Sequence, residues 1–309
     1  MYLLKFDWNP LTGIDIVGNF RLHFYSVMWI IAFILGWYIM KRIFTKEKVS
    51  LEYLDPLFIY TVLATMIGAR LGHVLFYQSE LISDDFFSIF LPFSFKNGIE
   101  FTGFQGLASH GAAIGIIVGM YLYRKKYNYK SLLWILDRVV ISVASGAVFI
   151  RIGNFINSEI IGKVTEPQDF TLGVRFIQDY YNKYEVVRLT GIKNVQKAYD
   201  AVASNPELLN AVPYRHPAQL YESFCYIFVF LILWYVYSKT PKRDQTGFLF
   251  GLFLILLWSI RFFVEFVKEP QGEEYINWFG LNTGQWLSIP FVLIGLYFMF
   301  VYKPKNAVK

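Results

Sequence analysis

The stretch Arg151-Ile-Gly-Asn-Phe-Ile-Asn-Ser-Glu-Ile-Ile-Gly162 decides the fold of this chain. It ends a long apolar run and places Arg151, Asn154, Asn157 and Glu159 where that run would leave a membrane. A charged side chain at bilayer depth costs at least about 2.5–3.5 kcal/mol, so it persists only where it is paired, hydrated or used. Because a guanidinium is a planar fork of five donors suited to phosphate, the stretch marks a candidate anion site.

The composition indicates an integral membrane protein. Of 309 residues, 55% are hydrophobic, 20% aromatic and only 17% charged, and the mean hydropathy is +0.40. Soluble domains usually carry about 25% charged residues. The single cysteine, Cys225, excludes an internal disulfide. The net charge of +6 comes from basic residues beside apolar segments, which indicates lipid headgroups and membrane orientation and argues against nucleic acid as a partner.

Seven runs of about 20 mostly apolar residues are each long enough to cross a bilayer core about 30 Å thick. They predict an all-α polytopic membrane protein in which residues 1–309 form a single seven-helix domain. The second and fourth runs contain Arg70, His73 and Arg151 and are the weakest on hydropathy. The apolar segment 86–93 is too short to span, so we expect it in the interface. The predicted spans are 20–40, 54–77, 105–123, 133–156, 219–237, 246–267 and 284–302.

Lysine and arginine are distributed unevenly between the short connections, and this predicts the orientation. One side carries Lys41, Arg42, Lys46, Lys48, Arg124, Lys125, Lys126, Lys130, Lys239, Lys242, Arg243, Lys303, Lys305 and Lys309. The short connections on the other side carry Lys5, Arg21, Lys96 and Lys268, and the connection 157–218 is left out of the count because it is too long for the rule. Because the cytoplasmic side is the richer in basic residues, we expect the N-terminus outside and the C-terminus in the cytoplasm.

The connection 157–218 is too long for a simple loop and contains no span. We predict a small outer, periplasmic-side head domain inserted between the fourth and fifth spans. The β-favouring piece Val186–Thr190 predicts a strand there, and residues 193–204 predict a helix. The chain has no visible internal repeat, which argues against transporter folds built from inverted repeats.

With this orientation, polar side chains from separate spans meet in the outer half of the bilayer. Arg261 and Glu265 are one helical turn apart and therefore lie on one helix face. Asp137 and Arg138 lie at the inner end, outside this cluster, and suggest anchoring or local pairing. The members of the outer cluster are Tyr25, Arg70, His73, His110, Arg151, Asn154, His216, Gln219, Tyr221, Glu222, Arg261 and Glu265.

The charged members of this cluster allow two interpretations. Arg151 and Arg261 could clamp a phosphate, or could only pair with Glu159, Glu222 or Glu265 to hold helices together. The glutamates could orient the arginines or act as acid or base.

His110 also allows two interpretations. Its imidazole could accept a proton near neutral pH, or could be a satisfied polar contact between helices. On the same segment, Gly111, Gly115 and Gly119 recur every four residues and predict a face for close helix packing.

The segment Arg151–Gly162 resembles the signature of the phosphatidylglycerol–prolipoprotein diacylglyceryl transferases, the family that catalyses the first step of bacterial lipoprotein maturation. The resemblance extends over nearly all the spans in order and is weak through 164–213. Lys163 stands where the family often has arginine, and Ala112 where it often has glycine. The other matching motifs are Gly68-Ala-Arg-Leu-Gly72, Ser109-His-Gly111, His216-Pro-Ala-Gln-Leu-Tyr-Glu222, Arg261-Phe-Phe-Val-Glu265 and Thr283-Gly-Gln-Trp-Leu-Ser-Ile-Pro290.

The resemblance implies transfer of a diacylglyceryl group from phosphatidylglycerol to the lipobox cysteine thiol of a prolipoprotein signal peptide, with release of glycerol phosphate. It implies a multi-pass protein of the bacterial cytoplasmic (inner) membrane, embedded in the lipid bilayer, with its active site toward the outer leaflet. Arg151 and Arg261 would hold the phosphate, and His110 or a nearby group would take the thiol proton. The resemblance also implies a set of residues that bind the substrate or orient the arginines. They are Tyr25, Arg70, Asn154, Asn157, Glu159, Gly162, Gln219, Tyr221, Glu222 and Glu265.

Two other functions remain open at this stage. A transporter or channel would also place histidine and arginine in the membrane, although it predicts polar residues through the full depth. A non-catalytic lipid-binding protein would explain the arginines but not His110 beside them. We expect no bound cofactor and no metal, because His23, His73, His110 and His216 are scattered without ligand spacing.

Overall fold

The computed structural model describes residues 5–17, 20–90, 93–94, 100–101, 106, 108–166, 171–270 and 279–303. Three of the lysines counted for the orientation lie outside the described residues, namely Lys96, Lys305 and Lys309. Residues 91–92 of the segment 86–93 also lie outside them, as does residue 105, where the predicted third span begins.

Long helices make up most of the chain. The helices are α1 (Phe24–Lys46), α2 (Leu54–Tyr77), α3 (Leu81–Asp84), α4 (Ser109–Tyr127), α5 (Leu132–Ile156), α6 (Ile177–Tyr180), α7 (Lys183–Thr190), α8 (Val195–Ser204), α9 (Pro206–Ala211), α10 (Ala218–Lys239), α11 (Phe248–Val264) and α12 (Thr283–Leu296). Tighter 3₁₀ turns cover Leu51–Tyr53, Phe86–Ile89, Pro241–Asp244 and Glu265–Val267, and a π-turn covers Tyr297–Val301. Short strands are β1 (Phe6–Trp8), β2 (Gly13–Val17), β3 (Phe20–His23), β4 (Phe93–Ser94), β5 (Glu100–Phe101) and β6 (Val174–Phe176).

Six helical segments among the described residues are long and apolar enough to cross a membrane. They correspond to six of the seven predicted spans, and the all-α multi-pass architecture is therefore confirmed. The six segments are Phe24–Lys46, Leu51–Phe76, Leu132–Ile156, Ala218–Lys239, Phe248–Val267 and Thr283–Val301.

The predicted third span, 105–123, corresponds to α4, which is displaced toward the C-terminus and falls outside that set of six. Its 19 residues include four glycines or alanines in the first two turns and Arg124, Lys125 and Lys126 in the last turn, which lower its apolar character.

Glycine determines how closely α4 packs against α2. A Cβ atom added at Gly111 would clash with the backbone of Gly68 and Gly72, and one added at Gly115 would clash with Ala64 and Gly68. Gly119 likewise faces Ala64. The predicted packing face of α4 is confirmed, and α2 is the helix that covers it.

Helices α1 and α5 form a second close pair and run in opposite directions. Three contacts show the antiparallel direction, because positions that rise along α1 meet positions that fall along α5. In chain order of α1 they are Tyr25 with Gly153, Ala32 with Gly146 and Gly36 with Ser142. By contrast, α1 and α2 touch each other only sparsely. The helix α2 is therefore held mainly by α4, and α1 mainly by α5.

Buried charges at the bundle end opposite residues 157–218 are paired locally, as the sequence predicts. Asp137 is 0% exposed and accepts backbone N–H bonds from Gly247 and Phe250 at 2.7 and 2.8 Å, so it caps the start of α11. Arg138 donates from Nε and Nη2 to the two carboxylate oxygens of Glu47, both at 3.1 Å. These contacts tie α5 to α11 and to the end of α1.

Residues 157–218 form a small unit, here called the head, with a core of its own. Strand β6 pairs in parallel with β1, which joins the N-terminal segment to the head. The predicted helix at 193–204 is confirmed by α8. The predicted strand at Val186–Thr190 is wrong, because Asn182 and Glu185 form a capping box that starts α7 there. The head core is built from Ile177, Tyr181, Val186, Ala198, Tyr199, Val202 and Val212.

Candidate active site

A cavity of about 1290 Å³ lies inside the bundle between α1, α2, α4, α5 and α11. One end is next to the head, where Asp179 and Lys183 contribute to the wall. We call this the head end of the cavity. His110, Arg151 and Arg261 all line it, so the three residues predicted to be catalytic reach one space from three different helices.

Glu222 joins the two arginines. Its Oε2 lies 2.5 Å from Arg151 Nε, and its Oε1 lies 3.5 Å from Arg261 Nη1. Glu222 is 1% exposed and stands behind the arginines, outside the cavity lining. One carboxylate thus holds two guanidinium groups at the wall. Arg151 and Arg261 also belong to the cavity lining themselves.

A second set of contacts fixes the end of α5. Arg151 Nη1 donates to Asn154 Oδ1 at 3.2 Å, and Asn154 Nδ2 donates to Glu159 Oε2 at 3.4 Å. Asn157 Nδ2 donates to the other Glu159 oxygen at 2.6 Å, and Gln219 donates to the Glu159 carbonyl at 2.6 Å. Loss of bulk water raises the pKa of the Glu159 carboxyl, while the amides of Asn157 and Asn154 oppose that rise. The signature stretch is therefore a hydrogen-bonded chain that ends at Arg151.

His110 lies in the first turn of α4 and is 3% exposed. Its ring lies 4.6 Å from the Trp258 ring, which in turn stacks on Phe291 at 4.2 Å. Within the part of the chain that the structure describes, His110 Nε2 has no hydrogen-bond partner. A buried nitrogen without a partner at a cavity wall is available to a ligand. The glycine face of α4 brings this ring into the bundle.

Lys268 is a cavity residue that the sequence reasoning placed in an ordinary outer loop. It is 4% exposed, lines the cavity, and pairs through Nζ with Glu265 Oε2 at 3.2 Å. Burial lowers the pKa of the Lys268 amine, and the Glu265 carboxylate opposes that change. Among the described residues, Glu265 therefore pairs with a lysine, whereas the sequence reasoning assigned it to an arginine. Gly284 leaves room for this carboxylate, since a Cβ there would lie 2.7 Å from Glu265 Cδ.

The remaining predicted site residues divide into two groups. Tyr25, Asn154, Asn157, Glu159 and Glu265 line the cavity. Gly162, Gln219 and Tyr221 lie behind or beside its wall, where Gly162 donates to the carbonyl of His216 and the hydroxyl of Tyr221 lies 3.2 Å from His216 Nδ1.

Arg70 is not part of the cavity lining. It is buried and donates to the backbone carbonyls of Ile89 and Ser88 at 3.2 and 3.1 Å. Its neighbours Ala69 and His73 line the cavity instead. The contacts of Arg70 therefore hold the 3₁₀ turn Phe86–Ile89 against α2.

Trp258 is a second site residue that the sequence reasoning did not select. It lies under His110, and the Arg261 guanidinium carbon is 5.6 Å from its ring centroid. A cation near an aromatic face is attracted by the ring quadrupole. The spacing Trp258-Ser-Ile-Arg261 could have indicated that Trp258 lies beside Arg261, because residues three apart share a helix face.

The described site is suited to an anion with an apolar tail. Three buried cationic side chains, Arg151, Arg261 and Lys268, share two carboxylates around one cavity, and an imidazole with a free nitrogen opens onto the same space. Among the residues that the structure describes, no three His, Cys, Asp or Glu side chains are grouped as metal ligands. Binding, charge stabilisation and proton transfer are the chemistry this donor set supports.

The fold and site define a polytopic membrane protein with an internal cavity whose wall carries a pair of buried arginines. The model of the family described as prolipoprotein diacylglyceryl transferase matches residues 12–301. This chain belongs to that family.

Individual relatives align over almost the whole chain. A Bacteroides fragilis protein named phosphatidylglycerol–prolipoprotein diacylglyceryl transferase is 36% identical over 311 residues, covering 99% of each chain. Proteins of the same name from Tolumonas auensis and Porphyromonas gingivalis are 35% and 34% identical, covering 97% and 99% of this chain and 98% and 96% of their own lengths.

Proposed function

We infer that this protein transfers the diacylglyceryl group of phosphatidylglycerol to the lipobox cysteine thiol of prolipoproteins, the first step of bacterial lipoprotein maturation. Family membership and full-length relatives of that name support the reaction. The observation that carries the assignment of the site is the pair Arg151 and Arg261, held by one buried carboxylate at the wall of a cavity inside the bundle.

The reaction needs an anion site because charge grows on the leaving group. The cysteine sulfur attacks the glyceryl carbon, a carbon–sulfur bond forms, and the carbon–oxygen bond to phosphate breaks. The phosphodiester monoanion leaves as glycerol phosphate, whose phosphate group carries one more negative charge. Arg151 and Arg261 stabilise that added charge, and their fixed pairing with Glu222 means that they need not reorganise during the step.

The thiol must lose a proton, since the thiolate is the nucleophile. His110 Nε2 is the described nitrogen at the cavity wall that lacks a partner and can accept that proton. Trp258 and Phe291 fix the imidazole from one side. Asn154 and Tyr25 position the headgroup, and Glu159 orients Asn154 through its carboxylate.

The membrane arrangement follows from the same proposal. With α4 as a seventh span, the N-terminus lies outside and the C-terminus in the cytoplasm, in agreement with the clustering of lysine and arginine at the ends of α1, α4 and α10 opposite the head. The head is then on the periplasmic side of the inner membrane. The arginine pair faces the outer leaflet, where a secreted precursor presents its signal peptide.

The direct experiment incubates the purified protein with phosphatidylglycerol and a lipobox peptide and measures the peptide mass. A diacylglyceryl adduct on the peptide cysteine that disappears in Arg151→Ala supports both reaction and site. Arg175→Ala is a matched control, since Arg175 lies in strand β6 of the head and pairs with Asp7 at 3.6 Å. A folded protein that binds phosphatidylglycerol but forms no adduct would favour a non-catalytic lipid-binding function.

The cavity argues against a transporter, the second alternative that the sequence left open. The charged lining side chains lie at the head end, and the opposite half of the cavity is apolar. An ion or solute pathway needs polar groups through the full depth. Flux of phosphatidylglycerol headgroup analogues across vesicles, without adduct formation, would favour that function.

A further inference from the structure

The cavity continues far below the arginine pair. On α5 its lining extends from Arg151 to Leu136, and on α1 from Tyr25 to Met40. Each interval is fifteen residues, which is about 22 Å at 1.5 Å per residue. The polar site described above occupies only the head end of this space, so the deeper part has no role in the chemistry derived so far.

The deeper part is apolar, and its hydroxyl groups are already bonded. Thr61 donates to the Leu57 carbonyl at 2.8 Å and Thr65 donates to the Thr61 carbonyl at 2.7 Å. Ser142 donates across the helix pair to the Gly36 carbonyl at 3.2 Å. A cavity stays dry unless its wall offers water two or more polar partners. This wall therefore suits a hydrocarbon.

The far end of the cavity is bounded by buried apolar side chains. Met40, Leu54, Leu57 and Leu136 line that end and are all buried. At the same level Trp37 Nε1 donates to Asp55 Oδ1 at 3.0 Å, which joins α1 to α2. We call these four apolar side chains the floor.

An end bounded by apolar side chains fits a fatty acyl chain better than a signal-peptide helix. A helix ends in four unsatisfied backbone groups, which cannot be buried against leucine and methionine without large cost. An acyl chain ends in a methyl group, which needs no partner. The depth also agrees, because an extended chain of 1.5 Å bonds advances about 1.3 Å per carbon, and about 22 Å holds roughly 16 carbons once the glycerol is seated beside the arginines.

We propose that the deep half of the cavity holds one acyl chain of the donor lipid and that its floor sets an upper limit on the chain length the enzyme accepts. The proposal rests on the proposed function for the identity of the donor. Because the chain passes from one apolar medium into another, length selection comes from overpacking against the floor. Excess methylenes in a filled core typically cost about 1–3 kcal/mol, which is about 5- to 140-fold in rate.

The test is a competition in one vessel. Equimolar phosphatidylglycerols with two identical saturated chains of 14, 16, 18, 20 or 22 carbons are presented with a lipobox peptide, and the adduct masses are counted. For the unaltered protein we expect the adduct yield to drop by at least about fivefold between two successive chain lengths. A flat profile with abundant adducts overturns the chain-length proposal and leaves the transfer function intact, whereas no adduct of any length overturns the transfer function.

Variants of the floor locate the limit. Leu57→Ala deepens the cavity and should move the drop to longer chains by about two carbons, and Leu57→Trp should move it to shorter chains. Leu63 provides the matched control on the same helix, since it is 55% exposed on the outer surface of α2 and does not line the cavity. The assignment of the floor is overturned if the chain length at which the yield drops changes equally in Leu63→Ala and Leu57→Ala. It is also overturned if that length changes in neither variant. The measurement is a ratio of adducts made from different lipids by the same active protein molecules, so partial misfolding of a variant does not change it.

Discussion

Glu222 Oε2 lies 2.5 Å from Arg151 Nε, although Glu222 belongs to α10 and Arg151 to α5. The same carboxylate reaches Arg261 on α11 at 3.5 Å. Three helices are thus tied at one point by a single buried acid. The sequence left open whether the glutamates serve only to pair with the arginines or whether the arginines also face a ligand. The geometry accommodates both roles, because the guanidinium groups contact Glu222 on one side and line the cavity on the other.

We predict that Glu222→Gln lowers kcat/KM by about 100-fold or more. The amide keeps the shape but removes the charge that Arg151 and Arg261 share, and displacement of catalytic groups by about 1 Å can cost 100-fold. Breaking a buried ion pair also destabilises by about 3–5 kcal/mol, so the thermal midpoint should fall as well. Both are measured on detergent-purified protein.

Glu207→Gln serves as the control for Glu222→Gln, because Glu207 is exposed on α9 of the head. It should leave both transfer rate and thermal midpoint unchanged. Normal activity in Glu222→Gln would show that the arginines need no carboxylate to keep their positions.

Arg261→Lys tests whether the fork geometry matters apart from the charge. Lysine keeps the positive charge but has a single donor centre, and it loses the planar face that approaches Trp258 at 5.6 Å. We expect a 10- to 100-fold loss of kcat/KM with a weaker apparent affinity for phosphatidylglycerol. Full transfer activity with normal lipid affinity in this variant would remove the clamp assignment.

His110→Gln tests the proton acceptor. Glutamine can occupy the site and hydrogen-bond, but it cannot take a proton, so kcat should fall by about 10²–10⁴-fold. The loss should shrink as the pH rises toward the ordinary thiol pKa, because hydroxide then competes as the base. If instead the loss is the same at every pH, His110 positions the substrate and another group accepts the proton.

Much of the helical frame was predictable because the membrane fixes the length of each apolar run. The predicted limits 54–77 and 133–156 agree with α2 and α5 within one residue at each end. The partner of Arg151 was not predictable, since it depends on the rotation and depth of three helices that are far apart in sequence.

Lys268 shows where hydropathy fails. It follows an apolar span and counts as a loop residue, yet the chain after Val267 bends beneath the head. The N–H of Lys163 donates to the Val267 carbonyl, and Lys268 bridges to Gly162. A tertiary contact therefore buries a lysine that the local sequence leaves in water. The strand predicted at Val186 fails for a local reason, because the capping box at Asn182 outweighs the β preference of two valines.

Gly111→Ala should destabilise the protein by about 1–3 kcal/mol and reduce transfer activity together with it. The added methyl group would overlap Gly72 Cα at 2.6 Å and force α4 away from α2, carrying His110 with it. Thermal unfolding in detergent and the adduct assay measure the two effects. Gly36→Ala is the matched control, because its methyl group would meet Ser142 Cβ at an ordinary 3.6 Å. Equal behaviour of the two variants would contradict the close contact of α2 and α4.

Asp137→Ala should unfold more easily without a direct effect on chemistry, because Asp137 lies at the end of the bundle opposite the arginine pair. Its loss leaves the N–H groups of Gly247 and Phe250 buried without their acceptors and leaves Arg138 without a carboxylate 3.8 Å away. We expect a loss of about 2–4 kcal/mol. Asp137→Asn should lower the free energy of unfolding by an intermediate amount, since one amide oxygen can replace only one of the two acceptors.

The control is Asp244→Ala, at an exposed aspartate near the start of α11, which should change the free energy of unfolding by less than about 0.5 kcal/mol. If Asp137→Ala destabilised the protein no more than Asp244→Ala does, the Asp137 carboxylate would not be what holds the start of α11 against α5.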